Sequence, residues 1–296
     1  MASNTETGVA QGNKKNGLLK GAFKLVVAYA ALIVLVNLTP TVLNTLERII
    51  YAMNKRQVVA YIPIKGTITR EYCDEIILQI DKARGNGSKG FVFEINSPGG
   101  HILPSKELSE KINEIEAGAD EKKGTSDDIK TIAYVKDVCA SGAYWIASAT
   151  DCVIADEASV VGSIGVMGGF FDFSGLMEKL GIDYHEFKSG NKKTIGSPFR
   201  QPTEDEKKGI EAQIHLLHKM FIRAVAENRQ VPYEEVEQIA DGNVFYGHKA
   251  KELGLVDIIG GQKEINKILT QQMGFDNNKI IFKIYEKPKG FFRSCI

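Results

Sequence analysis

GFVFEINSPGG (residues 90–100) runs from an apolar, aromatic-rich segment straight into a Pro-Gly-Gly turn. Such a run reads as a buried strand, and the helical pattern over 103–117 that follows it makes a strand–turn–helix unit. Comparable runs lie on both sides: VVAYIPI (58–64), TIAYV (131–135) and CVIA (152–155). Helical patterns near 71–84 and 141–149 fall between them. Strands alternating with helices predict an α/β fold with a parallel sheet. Farther along, the pattern predicts a short helix near 174–180, a strand YHEFK over 184–188, a long helix over about 203–228 and two shorter helices before Gly260. One domain over 58–275 accounts for all of this, with a helical C-terminal part. No internal repeat is visible, so a multi-site assembly would need several copies of the chain.

The N-terminal part differs sharply. Residues 1–20 are polar and predict a flexible tail. Within the anchor expected over 21–43, the stretch LVVAYAALIVLVNLTPTVL (25–43) carries no charge. As a helix it would span about 28 Å, close to the hydrocarbon thickness of a bilayer. The run is longer than a signal-peptide core and no small-residue cleavage site follows it, which predicts one uncleaved transmembrane anchor. Lys14, Lys15, Lys20 and Lys24 before it slightly outweigh Arg48, Lys55 and Arg56 after it, a bias toward a cytoplasmic N-terminus. Residues 44–57 form a connector. Residues 276–296, ending in the basic and aromatic KPKGFFRSCI, are expected as a loose tail. The charged segment GADEKKGTSDDIK (118–130) reads as a solvated loop.

Over 296 residues, 37 basic side chains balance 37 acidic ones. That leaves no net field for nucleic acid, so no nucleic-acid partner is expected. The four cysteines form no CxxC pair and imply neither a zinc knuckle nor a redox motif. Cys139 stands two residues before Ser141 but in an apolar stretch, where a thiol packs as a small hydrophobe.

Three glycine-containing stretches each follow a buried strand: NSPGG (96–100), ASGAY (140–144) and GSIG (162–165). Strand ends are where α/β folds bind ligands. Gly99 and Gly100 carry no Cβ, so their amides can converge on one point as an oxyanion hole requires. Ser141 opens a helix, which would place its hydroxyl beside exposed amides and the positive end of the dipole. The competing reading of Ser141 is an N-cap, the ordinary use of Ser before a helix.

A nucleophilic serine needs a base. Of the five histidines, His101 would share its stretch with the oxyanion donors, and no carboxylate can be assigned to it as a partner. His215, His218 and Glu211 share one face of the long helix, but without a third convergent cluster they read as a solvated face; no metal and no cofactor is implied. The remaining bases are Lys188, Lys192 and Lys193 in KSGNKKT (188–194). A lysine base must be neutral, so its pKa has to fall from about 10.4 by roughly three units, a cost of about 4 kcal/mol, through burial and nearby positive charge. In an extended chain Lys192 and Lys193 point to opposite sides, so only one can face Ser141. The competing reading is that all three are surface lysines.

Taken in order, NSPGG, ASGAYW (140–145), VGSIGV (161–166) and KSGNKKTIGSPFR (188–200) resemble the signal peptide peptidase A family, the S49 serine peptidases. The likeness extends through VAYIPIKGTI (59–68), TEDEKKGIE (203–211) and ADGNVFYGHKAKELGLVD (240–257), covering roughly residues 58–260. The resemblance implies a ClpP/crotonase-like fold, a Ser-Lys dyad and an extracytoplasmic catalytic domain held at the cell membrane by a single span. By motif it assigns Ser141 as nucleophile, Lys193 as base, Ser163 as the residue that positions the lysine amine, and Gly100 with Gly142 as oxyanion donors. It also implies peptide substrates such as signal peptides, and a ring-like homo-oligomer in which neighbouring copies bring Ser and Lys together. The chain departs from the family in having Gly142-Ala143 where Gly-Gly is common, and in Lys192, which stands beside Lys193 and is the alternative base. Two rival readings are a crotonase-type acyl-CoA enzyme and a non-catalytic membrane scaffold.

Overall fold

In a computed structural model that describes residues 56–118 and 128–286, strand β1 (Gln57–Lys65) and strand β2 (Gly90–Ser97) pair in parallel along their length. The expected membrane span and the stretch 287–296 lie outside the described residues, among which no helix is long and apolar enough to cross a membrane. Both strands alternate, and the alternation sorts two cores. Ala60, Ile62, Ile64, Phe91, Phe93 and Ile95 face the larger one, against helices α1 (Arg70–Gly85) and α2 (Ile102–Glu116). Val59 and Val92 face a smaller core on the other side. Sheets covered on both faces are the usual setting for parallel strands.

Strand β3 (Lys130–Ala140) pairs with β2 on one edge and forks on the other. Its first half pairs with β4 (Cys152–Ala155) and its last three residues pair with β5 (Val160–Gly162), all in parallel. Between these, helix α3 (Gly142–Ser148) leaves the end of β3 with every residue buried. Trp145 stacks on Phe221 with ring centroids 4.6 Å apart, and the Tyr144 hydroxyl donates to Leu255 O at 2.9 Å. Phe221 belongs to the 26-residue helix α5 (Glu204–Arg229), which follows the short α4 (Ser174–Leu180).

The rest of the chain closes the sheet. Helix α6 (Tyr233–Ile239) leads to β6 (Val244–Tyr246), which pairs antiparallel with β5 and makes the sheet mixed rather than wholly parallel. A single reversed edge strand is the common way in which a parallel sheet ends. Helix α7 (Gly247–Glu252), strand β7 (Ile258–Ile259) beside β4, and helix α8 (Gln262–Gln271) follow, and Ile265, Ile268 and Leu269 of α8 fill the smaller core. Strand β8 (Ile280–Ile284) then pairs in parallel with β1, so the sheet runs past residue 275 into the stretch expected as tail. Its IIFKIY sequence alternates well enough to hold an edge, and Tyr285 N donates to Tyr61 O at 2.9 Å. The strand expected over 184–188 joins no ladder, and Tyr184 and Phe187 are exposed. Its alternation is strand-like, but among the described residues no strand lies alongside to pair with it.

Candidate active site

Ser141 is the last step from β3 into α3, and its backbone takes φ 54° and ψ −127°. A side chain rarely adopts that conformation, which costs on the order of 1–3 kcal/mol and persists only where its surroundings enforce it. Here Ser141 N donates to Gly162 O at 2.8 Å on one side, while Ser141 O accepts from Tyr144 N and Trp145 N on the other. The hydroxyl makes no capping bond. Ser141 is therefore a strained strand-to-helix corner that stands at the N-cap position with an Oγ that makes no capping bond.

The Pro-Gly-Gly turn lies directly over this corner. Gly99 has φ 97°, and a Cβ there would come within 2.9 Å of Ser141 Cβ and 2.8 Å of Gly142 N. Gly142, in turn, packs so closely on the buried Ser105 that a Cβ would overlap Ser105 Oγ, and that Cβ would sit 3.4 Å from Gly100 N. The Gly100 and Gly142 segments thus lie against each other beside Ser141. Gly142, as the first residue of its helix, has no carbonyl a turn earlier within that helix for its N–H to reach. Gly142→Ala is expected to cost about 1–3 kcal/mol through overpacking. Ser105→Gly in the same chain should recover most of that loss, both read as shifts in thermal unfolding.

Ser163 is brought close as well. It follows Gly162, the carbonyl partner of Ser141, and its own backbone is left-handed at φ 51°, with its N donating to Asn243 O at 2.7 Å. Cys139 is fully buried, and that burial pushes its thiol pKa well up, away from thiolate chemistry. His101 is exposed before α2, with no carboxylate in ion-pair contact among the described residues.

The lysines separate by their partners. Lys188 Nζ lies 2.5 Å from Glu186 and donates to Thr194 Oγ1 at 3.1 Å. Lys192 reaches Asp205 at 3.4 Å across open surface. Lys193 is exposed in a turn and is the one of the three whose amine has no side-chain partner among the described residues. Within one chain no hydrogen bond joins any of them to Ser141. The segment that bears them is markedly apolar and uncovered: Met167 and Phe187 are 91% and 94% exposed, and Phe171, Leu180 and Phe199 are also open. Helix α4 buries none of its residues.

The sequence profile of peptidase family S49 matches residues 123–276. This chain belongs to peptidase family S49. A candidate protease of Methanocaldococcus jannaschii is 36% identical over 212 residues, 72% of this chain and 65% of that protein. A candidate signal peptide peptidase SppA of Enterococcus faecium is 38% identical over 183 residues, 62% of this chain and 49% of that protein. The chain thus spans between about half and two thirds of these relatives. Among solved structures, an S97A mutant of the membrane-bound stomatin-specific protease 1510-N superposes with a TM-score of 0.54 at 14% identity, covering 79% of this chain and 99% of that one. That likeness is one of fold.

Three features of this S49 chain were not singled out from sequence. Ser97 is fully buried, donates to Gly66 O at 2.6 Å and accepts from Gly99 N at 3.1 Å, so it shapes the glycine turn. A Ser two residues before Gly is the signal that marks such a turn. Ser105 backs Gly142 and donates to His101 O at 2.8 Å. Arg200 forks onto Glu206, NH1 to Oε2 at 2.8 Å and NH2 to Oε1 at 2.6 Å. The Arg200 guanidinium, joined by the amide of Thr203, holds the Glu206 carboxyl at about 2 instead of its ordinary 4.5. Because the folded pKa is the lower one, this pair's contribution to stability is complete above about 4.5 and is lost as pH falls toward about 2. Carbon NMR of the Glu206 carboxyl through an acid titration should place its midpoint well below that of an exposed glutamate.

Proposed function

We propose that this S49 chain is a membrane-anchored serine endopeptidase that cleaves apolar peptides, such as remnant signal peptides, through Ser141 and Lys193. The observation that carries this reading is the strained corner at Ser141, held against the two glycine amide segments with its hydroxyl uncommitted. Strain stored at one serine beside converging amides is what nucleophilic attack on a carbonyl needs.

In the proposed reaction the neutral Lys193 amine takes the Ser141 hydroxyl proton as Oγ bonds to the substrate carbonyl carbon. The carbonyl oxygen becomes the oxyanion and accepts hydrogen bonds from Gly100 N and Gly142 N. The C–N bond then breaks as the Lys193 ammonium returns its proton to the leaving amine. Water, deprotonated by the same lysine, then attacks the ester carbonyl carbon; the C–Oγ bond breaks, the lysine ammonium returns the proton to Ser141 Oγ, and the acyl group leaves as a carboxylic acid. Ser163, beside the carbonyl partner of Ser141, is suited to hold the amine.

Supply of the base from a neighbouring copy fits the exposure of Lys193 and the uncovered apolar surface of its segment. Burial against a second chain would favour the neutral amine. A ring-like homo-oligomer, with the domain outside the cytoplasm and the 21–43 span as anchor, completes the reading; the relative named as a signal peptide peptidase supports the choice of substrate. The test incubates the full chain in detergent with a synthetic apolar signal peptide and maps products by mass spectrometry. Internal cleavage is expected. Intact peptide would contradict the reading, favouring a scaffold, or an acyl-CoA enzyme if enoyl-CoA is hydrated instead.

A further inference from the structure

Resting on the dyad proposed above, we propose that Arg200 is a positioning residue for the base, tying the backbone beside Lys193 to the start of helix α5.

The segment over 181–199 is built of turns and extended chain, with no side chain in the core. Its internal backbone bonds, such as Lys193 N to Gly190 O at 3.2 Å and Ser197 N to Thr194 O at 3.1 Å, hold local bends only. Among the described residues two side chains connect this stretch to α5. Lys192 with Asp205 is an exposed pair, 67% and 80% open, of the kind that holds little. Arg200 is different. Its side chain is 25% exposed and its partner Glu206 only 6%.

The two terminal nitrogens of Arg200 have defined uses, while Nε makes no hydrogen bond. NH1 and NH2 grip the two oxygens of Glu206, and NH2 also donates to Thr194 O and Thr194 Oγ1, both at 3.2 Å. Thr194 immediately follows Lys193, so this contact fixes the peptide next to the base. Glu206 is itself immobilised, because its carboxylate accepts from Thr203 N at 2.9 Å while Thr203 Oγ1 caps Glu206 N. That capping box begins a 26-residue helix whose Phe221 stacks on Trp145, four residues beyond Ser141. One rigid rod, anchored in the core of its own chain, thus holds the base's segment at a fixed place from which Lys193 can be presented to a neighbouring copy. Lys188 and Glu186 complete the cluster, with Glu186 3.5 Å from Arg200 Nε. Only a planar guanidinium meets a carboxylate in two places and still reaches a backbone carbonyl; a lysine at 200 would lose the fork.

The experiment measures kcat, KM, unfolding temperature and oligomer size for full-length wild type, Arg200→Ala, Arg200→Lys and Glu206→Gln on one apolar peptide in detergent. Arg200→Ala is expected to lower kcat about 10- to 100-fold, the effect of a misplaced catalytic group. KM should stay within about threefold, because substrate binding is not the role assigned. Millimolar guanidinium should restore part of kcat to Arg200→Ala, and Arg200→Lys should remain impaired. Glu206→Gln, which keeps a capping side chain but removes the charge, should shift kcat in the same direction. An Arg200→Ala kcat within about twofold of wild type would overturn the proposal. So would a kcat loss that tracks loss of the oligomer or a fall of more than about 5 °C in unfolding temperature without guanidinium rescue, because the role would then be structural. If wild type shows no Ser141-dependent cleavage, the dyad itself has failed; if wild type is active and Arg200→Ala equals it, only the positioning role has.

Discussion

Ser141→Ala is expected to reduce peptide cleavage by on the order of 10³-fold or more, the usual scale for loss of a nucleophile whose partners stay in place. Assembly and fold should persist, because the hydroxyl makes no capping bond and α3 is anchored by Trp145 and Tyr144. A companion substitution separates chemistry from strain. Glycine adopts φ 54° and ψ −127° without the penalty a Cβ imposes. Ser141→Gly should therefore be as inactive as Ser141→Ala yet more stable than wild type by on the order of 1 kcal/mol. A variant that loses activity while gaining stability marks strain held for function. Cleavage by Ser141→Ala near the wild-type rate would remove Ser141 from the mechanism.

Lys193→Ala is expected to lower kcat by a similarly large factor, on the order of 10³-fold, since an unassisted serine is a weak nucleophile at neutral pH. Lys192→Ala should stay within a few fold of wild type, because its exposed pair with Asp205 contributes little. The expected contrast follows from the partners each amine has: Lys192 has an acidic partner, Lys188 is committed to Glu186 and Thr194, and Lys193 alone of the three is unpartnered among the described residues. Co-expressing Ser141→Ala with Lys193→Ala tests where the base comes from. If neighbouring copies share the site, roughly a quarter of randomly assembled sites hold both groups and activity returns. If each chain acts alone, none does.

How much of this was legible beforehand depended on whether the signal was local. The strands at 58–64, 90–95, 131–135 and 152–155 announce themselves as apolar, β-rich runs with helical patterns between them, and all four form. The glycine pair at 99–100 carries the oxyanion reading because the absence of a Cβ is written in the sequence itself, whereas Gly142 enters through the resemblance to the S49 peptidases. The strain at Ser141 is not written there, since φ 54° is held by the Gly162 carbonyl and by the packing of α3 on Phe221 and Leu255, which are distant in sequence. YHEFK over 184–188 shows the opposite failure: a strand-like pattern with no neighbouring strand among the described residues. The role of Arg200 was hidden for a third reason. A lone arginine in SPFR carries no periodicity, and its partners Thr194 and Glu206 become adjacent only when the turn segment folds back on α5.

A fluorophosphonate probe, located by tandem mass spectrometry of the full-length protein in detergent, tests the central claim most directly. A single adduct is expected on Ser141 in wild type, retained at nearly the same rate in Lys192→Ala and lost in Lys193→Ala. No adduct on Ser141, or labelling of Lys193→Ala at the wild-type rate, would contradict that claim.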